Sequence, residues 1–342
     1  MTMKEMKIAK SELARFLDSL ISEYKVFAPV KQGGFIAFQE IHSGSEVLLD
    51  YVNSKKPPKE IFFPQSEVLF NYRLGGEGLG IEEPTFEDKP MVIFGIRPCD
   101  ARSLVIFDNI FNSQEYKDVY YTAKRERTLV MAIGCNQPSS TCFCTSLGGG
   151  PFSTDGSDLL LIDIDQEYVV QAVTDRGKQL VKKHSQFREA GRRSLSLMRK
   201  VTQRASTLIK SKVETGETKK KLDGMFEDPF WDWLHEKCLG CAVCTYLCPT
   251  CHCFDIADET LDQMGRRVRI WDTCSFPLFT LEASGVNPRP TGKERMRQRV
   301  MHKFKYFVDN HNVAACVGCG RCIKDCPVNL DIRTVLNSIL NR

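Results

Sequence analysis

The chain has no run approaching the roughly 18 uninterrupted apolar residues of a membrane span, so its 342 residues predict no spanning segment. Its first thirty residues mix Lys4, Glu5, Lys7, Lys10, Glu12 and Arg15 with apolar positions. No signal peptide is expected there, and the expected compartment is the cytoplasm. Surplus charge is small as well: +4 over this length does not argue for nucleic acid. The basic stretch from Arg192-Arg193 to Lys219-Lys220-Lys221 reads as the solvated face of a helix. Gly75, Gly76, Gly78 and Gly80 lack the strand-before, helix-after setting of a dinucleotide fingerprint and read as a turn-rich connection.

What is abundant is cysteine. Fifteen in a chain of ordinary apolar (42%) and charged (26%) content cannot be a small disulfide scaffold. A reducing compartment keeps thiols free, and the odd number disfavours full pairing, so metal ligation is the better reading.

Ser11 to Tyr24 places Leu13, Phe16, Leu17, Leu20 and Ile21 on one helical face, with Ser11 expected as its N-cap. Phe35-Ile36-Ala37-Phe38 and Val47-Leu48-Leu49 are short strand-like runs. Met91 to Ile96 reads as a buried strand followed by Arg97-Pro98-Cys99-Asp100, with a helix from about Ala101 to Phe111. Thr128 to Ile133 is a second buried strand, leading into Gly134-Cys135. Leu159 to Ile164 and Tyr168 to Val173 are two more strands joined by an acidic turn. The order predicts an α/β domain over residues 1–180, a charged helical bridge over 181–228, and a mostly helical ferredoxin-like domain over 229–342.

The last region carries two copies of one motif. Cys238, Cys241, Cys244 and Cys248 precede Pro249, and Cys316, Cys319, Cys322 and Cys326 precede Pro327. Both have the spacing C-x2-C-x2-C-x3-C-P, in which the fourth cysteine serves the neighbouring [4Fe–4S] cluster. Three thiolates so spaced wrap one face of an iron–sulfur cube, and the fourth lies too far along to close it. Cys238, Cys241, Cys244 and Cys326 are therefore expected to hold one cluster, and Cys316, Cys319, Cys322 and Cys248 a second. Structural zinc sites pair one CxxC with a distant ligand pair and fit this spacing poorly. The 67 residues between Cys248 and Cys316 exceed a plain ferredoxin's connection and carry Cys251, Cys253 and Cys274, read as buried or cluster-tuning thiols with ligation as the alternative.

Four cysteines remain. Cys99 and Cys135 each follow a predicted buried strand, and parallel neighbours would bring both to one carboxyl-end rim, where α/β sheets place ligand sites. The loop bearing Cys142 and Cys144 leaves from that rim. A third [4Fe–4S] cluster is expected there, with zinc or unligated thiols as the alternatives.

The stretches Phe94-Gly95-Ile96-Arg97-Pro98-Cys99-Asp100-Ala101, Cys142-Phe143-Cys144, Pro229-Phe230-Trp231-Asp232, Cys248-Pro249-Thr250-Cys251-His252-Cys253, Trp271-Asp272-Thr273-Cys274 and Arg289-Pro290-Thr291 complete a pattern. Together with the second cluster motif they resemble the beta subunit of sulfhydrogenases, which are soluble NiFe hydrogenases, and its relative, the A subunit of anaerobic sulfite reductase. The resemblance runs from about Phe27-Ala28-Pro29-Val30 to the end. Asp155-Gly156-Ser157-Asp158-Leu159-Leu160 looks nearer the hydrogenase branch, with an electron-transfer subunit of the sulfite reductase branch as the alternative.

The resemblance implies a non-catalytic electron conduit. Its partners would be a flavin subunit that exchanges electrons with NAD(P)H and a subunit holding the catalytic metal site. The chain itself shows no FAD or NAD fingerprint, no nickel-type cysteine pairs near its two ends and no acid–base pair in a site-like setting, as suits a relay whose cofactors do the chemistry. Its rivals are a free-standing ferredoxin-like carrier, which needs no large extra domain, a self-contained oxidoreductase, and a nucleic-acid-binding protein with a structural cluster.

Overall fold

The computed structural model describes residues 5–75, 78–84, 86 and 89–342. Its strands are β1 (Met6–Ala9), β2 (Lys25–Gln32), β3 (Phe35–Glu40), β4 (Ser66–Gly75), β5 (Gly78–Glu82), β6 (Met91–Ile96), β7 (Thr128–Ile133), β8 (Leu159–Asp163), β9 (Glu167–Ala172), β10 (Arg188–Glu189), β11 (Phe254–Leu261) and β12 (Met264–Trp271). Helices are α1 (Lys10–Ile21), α2 (Pro98–Phe111), α3 (Val119–Arg127), α4 (Asp175–Lys183), α5 (Arg192–Leu208), α6 (Thr215–Asp223), α7 (Phe230–Glu236), α8 (Val243–Tyr246), α9 (Gly292–Met301), α10 (Phe307–His311), α11 (Arg321–Lys324) and α12 (Ile332–Leu340).

Eight strands form one sheet in the order β10-β1-β9-β8-β7-β6-β2-β3. The central four, β8, β7, β6 and β2, are parallel, and the flanks are antiparallel. Parallel central strands are buried on both faces and so read as continuous apolar runs. Val92 and Phe94, with Leu129, Met131, Ile133, Leu159 and Leu161, pack under α1 and α4. Ile93, Val130, Ala132, Leu160 and Ile162 pack against α2 and α3 on the other face. The result is a three-layer α/β unit, as the sequence pattern predicts.

The details depart from the sequence reading where hydrogen bonds outrank propensity. Helix α1 starts at Lys10, not behind a Ser11 cap, because the Lys10 amide donates to the Gln166 carbonyl at 3.0 Å and ties the helix start to the β8–β9 turn. Helix α2 begins at Pro98 rather than Ala101, since a first-turn proline needs no amide partner. Val47-Leu48-Leu49 joins no ladder among the described residues; the Leu48 amide donates to the Pro29 carbonyl at 2.8 Å, and the Leu49 carbonyl accepts from Arg97 Nη2 at 3.2 Å. Gly78 and Gly80 lie in β5, paired with β4, rather than in a loop, whereas Gly76 falls outside the described residues.

A second sheet, β11-β12-β4-β5, draws two strands from residues 66–82 and two from the connection between the cysteine motifs. Phe63, Phe254 and Trp271 pack together at its base, and the Trp271 Nε1 donates to the Phe63 carbonyl at 3.0 Å. The unusually long inter-motif connection thus builds a joint to the α/β unit. Elsewhere the C-terminal region is built of helices α7 to α12, whose core contains Trp231, Leu234, Val300, Phe304, Leu336 and Ile339.

Candidate metal centres

Each cysteine motif folds into a tight loop followed by a one-turn helix, α8 or α11. The loops repeat one backbone pattern: Gly240 and Ala242 in the first, and Gly318 and Gly320 in the second, all have φ between 62° and 77°. Successive amides in such left-handed turns point inward and form an anion-binding concavity. The Gly240 amide donates to Cys238 Sγ at 3.4 Å, and the Leu330 amide to Cys326 Sγ at 3.2 Å.

Glycine is required at 318 and 320 for a second reason. A Cβ at Gly318 would stand 2.6 Å from the Phe143 and Cys144 backbone, and one at Gly320 would stand 2.4 Å from Thr141 Oγ1. The second motif therefore lies directly against the loop that bears Cys142 and Cys144. The Phe143 amide donates to the Gly318 carbonyl at 2.9 Å, and Asn53 Nδ2 to the Cys319 carbonyl at 2.9 Å. Arg321 crosses the same seam and makes a buried two-pronged ion pair with Asp100, at 2.6 and 2.7 Å.

The thiols line three cavities. Cys238, Cys241, Cys244 and Cys326 line the first, with Cys322 and Arg299 also on its wall. Cys248, Cys316, Cys319 and Cys322 line the second, with Arg299 and Lys303. Cys99, Cys135, Cys142 and Cys144 line the third, together with Arg97 and Cys319. β6 and β7 are parallel neighbours, which puts Cys99 and Cys135 at one rim. The cavities share walls: Cys322 and Arg299 stand between first and second, Gly318 and Cys319 between second and third.

The electrostatics ask for an anion. Burial pushes the Cys316 thiol up to about 11, Cys142 to about 12 and Cys144 to about 11, so neutral thiols are favoured there unless a bound metal stabilises the thiolates. Yet buried cations face them. Lys303 Nζ donates to Cys248 Sγ at 3.3 Å, and Arg299 Nε to Cys244 Sγ at 3.1 Å. Neither has a carboxylate partner among the described residues, and the buried Arg299 Nη1 and Arg97 Nε have no hydrogen-bond partner. A buried charge needs a counter-charge, and a cluster ligated by four thiolates supplies one. No three Cys, His, Asp or Glu side chains among the described residues gather tightly enough for a single ion. Four thiols ringing a cavity suit a cube with a ligand at each iron corner. The residues fit iron–sulfur clusters.

Cys251, Cys253 and Cys274 line none of these three cavities. Cys251 hydrogen-bonds Cys248, and that bond chiefly holds the Cys248 thiol well below its ordinary range. Cys253 pairs with Cys274 in the same way, and its thiol is lowered to about 6, chiefly by that bond. His252 is half-buried between His302, Phe107 and Phe111, and desolvation lowers it to about 3.

Arg299, Lys303, Asn53 and the Asp100–Arg321 pair were not singled out from the sequence. The first two had a signal: they interrupt, four residues apart, the buried helical stripe of Met296, Val300, Phe304 and Phe307. Asn53 and Asp100 had none, since their partners lie more than 200 residues away.

Comparison with known proteins agrees with this chemistry. Residues 237–330 match the family model described as a 4Fe-4S dicluster domain. Over 339 residues, covering 98% of this chain and 98% of the relative, the sequence is 29% identical to Sulfhydrogenase 2 subunit beta of Pyrococcus furiosus. No solved structure matches. The C-terminal region is thus an iron–sulfur dicluster domain, and the resemblance to sulfhydrogenase beta subunits spans the whole length.

Proposed function

We propose that this chain is the electron-relay subunit of a hydrogenase-like complex, with three [4Fe–4S] clusters in a row. The observation that carries the reading is the set of three cysteine-lined cavities with common walls, two of them sharing a cysteine with the middle one. Bound there, the clusters supply one-electron redox chemistry over a family range of roughly −700 to +450 mV.

The chain's own residues do the rest. Cys238, Cys241, Cys244 and Cys326 hold the first cluster, Cys316, Cys319, Cys322 and Cys248 the second, and Cys99, Cys135, Cys142 and Cys144 the third. Phe143, Val317 and Ile332 close the middle cavity against water, and the seam around Asp100, Arg321 and Asn53 fixes its distance from the third. Cys241 is exposed, so the row reaches the surface at the first cavity. The units of this arrangement are the α/β unit (1–180), whose sheet β10 completes from the otherwise helical bridge (181–228), and the mostly helical ferredoxin-like domain (229–342), which lends β11 and β12 to the second sheet.

As the resemblance to sulfhydrogenase beta subunits implies, the partners are a flavin subunit that handles NAD(P)H and a subunit with the catalytic metal, with the assembly in the cytoplasm. No helix among the described residues is long and apolar enough to cross a membrane. Anaerobically purified protein is expected to bleach in the visible when reduced methyl viologen is added and to recover with a one-electron acceptor, with no flavin bound. A chain whose visible spectrum ignores the viologen, or one that oxidises NAD(P)H unaided, would contradict the relay.

A further inference from the structure

Resting on the cluster reading above, we infer that Arg299 and Lys303 are positioning residues that raise the reduction potentials of the first and middle clusters, Lys303 acting on the middle one and Arg299 on both. Arg299 closes α9, and Lys303 falls in the π-helical turn His302–Tyr306 that separates α9 from α10. Such single-turn bulges are rare and recur at functional sites. Here the wider turn leaves the Lys303 carbonyl to accept from the Ala315 amide at 2.9 Å, while its Nζ donates back to the Ala315 carbonyl at 2.9 Å. Lys303 is thereby pinned to the residue before Cys316.

All three Nζ donors are used: Cys248 Sγ at 3.3 Å, Thr250 Oγ1 at 3.1 Å and the Ala315 carbonyl. None goes to a carboxylate. Arg299 sits one turn earlier on the same face. Its Nε donates to Cys244 Sγ at 3.1 Å and its Nη2 to the Cys244 carbonyl at 3.5 Å, and its partnerless Nη1 is buried in a side chain that lines both cavities. The pairing repeats at one offset: Arg299 to Cys244 and Lys303 to Cys248 are each 55 residues apart.

Reduction adds one negative charge to a cluster. A fixed cation hydrogen-bonded to a ligand sulfur stabilises the more negative state, and burial leaves that attraction little screened. A cation placed only to help folding would not single out one cluster's potential.

The test is an anaerobic redox titration followed by electron paramagnetic resonance on wild type, Lys303→Met and Arg299→Met, with iron per chain counted on each sample. Lys303→Met is expected to move one cluster to lower potential, Arg299→Met to move two, and the remaining midpoints to stay. Lys303→Arg, which keeps the charge, is expected to restore the wild-type midpoint. Should Lys303→Met assemble short of iron, Lys303→Gln retains a donor without the charge and carries the same expectation. Iron-complete variants with wild-type midpoints overturn the inference while leaving the relay intact. Wild type without clusters overturns the relay reading itself.

Discussion

Cys248→Ala is expected to lose the middle cluster, about four irons per chain, while the first cluster survives. The fourth cysteine of the first motif lines the cavity of the second motif, beside Cys316, Cys319 and Cys322, and not the cavity of its own. Its thiol is also the one that Lys303 and Cys251 address. Removing it strips a ligand and leaves Lys303 facing a gap, so the variant loses folding stability along with metal. The companion variant Cys326→Ala is expected to empty the first cavity and spare the middle one. Iron analysis with electron paramagnetic resonance separates the two. If Cys248→Ala kept a full middle cluster and lost the first, the crossed arrangement would be wrong.

Arg321→Met is expected to destabilise the protein by about 3–5 kcal/mol, the cost of leaving a buried charge without its partner. Asp100 is 0% exposed and Arg321 2%, and Arg321 also donates to the Ser54 carbonyl and hydroxyl at 3.0 and 3.1 Å. The pair has a further consequence, because Asp100 follows Cys99 and Arg321 precedes Cys322. Breaking it loosens the α/β rim from the second cysteine motif, so the third cavity should lose iron more readily to a chelator than the first. Adding Asp100→Leu to Arg321→Met removes the orphaned carboxylate and should recover part of the loss. Denaturant midpoints on the anaerobic holo-protein decide this, and a shift worth less than about 1 kcal/mol for the single variant would mean the seam is held by something else.

How much of this was legible in the sequence follows from how local each determinant is. The two ferredoxin-type motifs are written in eight cysteines at fixed spacing, and a spacing survives whatever surrounds it. The buried strands β6, β7 and β8 announce themselves as apolar runs, and their parallel pairing puts Cys99 and Cys135 on one rim, as their positions after two such runs imply. The second sheet was not legible. Its central contact, β12 on β4, joins residues nearly 200 apart, and no periodicity within either strand names the other. The glycines of residues 75–80 look like a turn because their composition is that of a turn; only the β4 ladder makes Gly78–Glu82 a strand. Lys303 and Arg299 show why charges in a cluster domain are easy to miss. Their place in an apolar stripe marks each as buried, but only the fold reveals that it points at sulfur.

The three-cluster reading depends on one physical matter: that the α/β unit contributes a cluster and is not a passive scaffold. Were it passive, Cys99, Cys135, Cys142 and Cys144 would have no reason to line one cavity against the second motif. Burial alone would favour them as neutral thiols scattered through the core.

The measurement that addresses this most directly is iron and acid-labile sulfide per chain, with zinc counted alongside, on anaerobically purified protein. Three clusters require about twelve irons and about twelve sulfides, with no zinc. About eight irons would confine the relay to the C-terminal domain and contradict the third centre, and one zinc beside those eight would assign the four rim cysteines to a structural site instead.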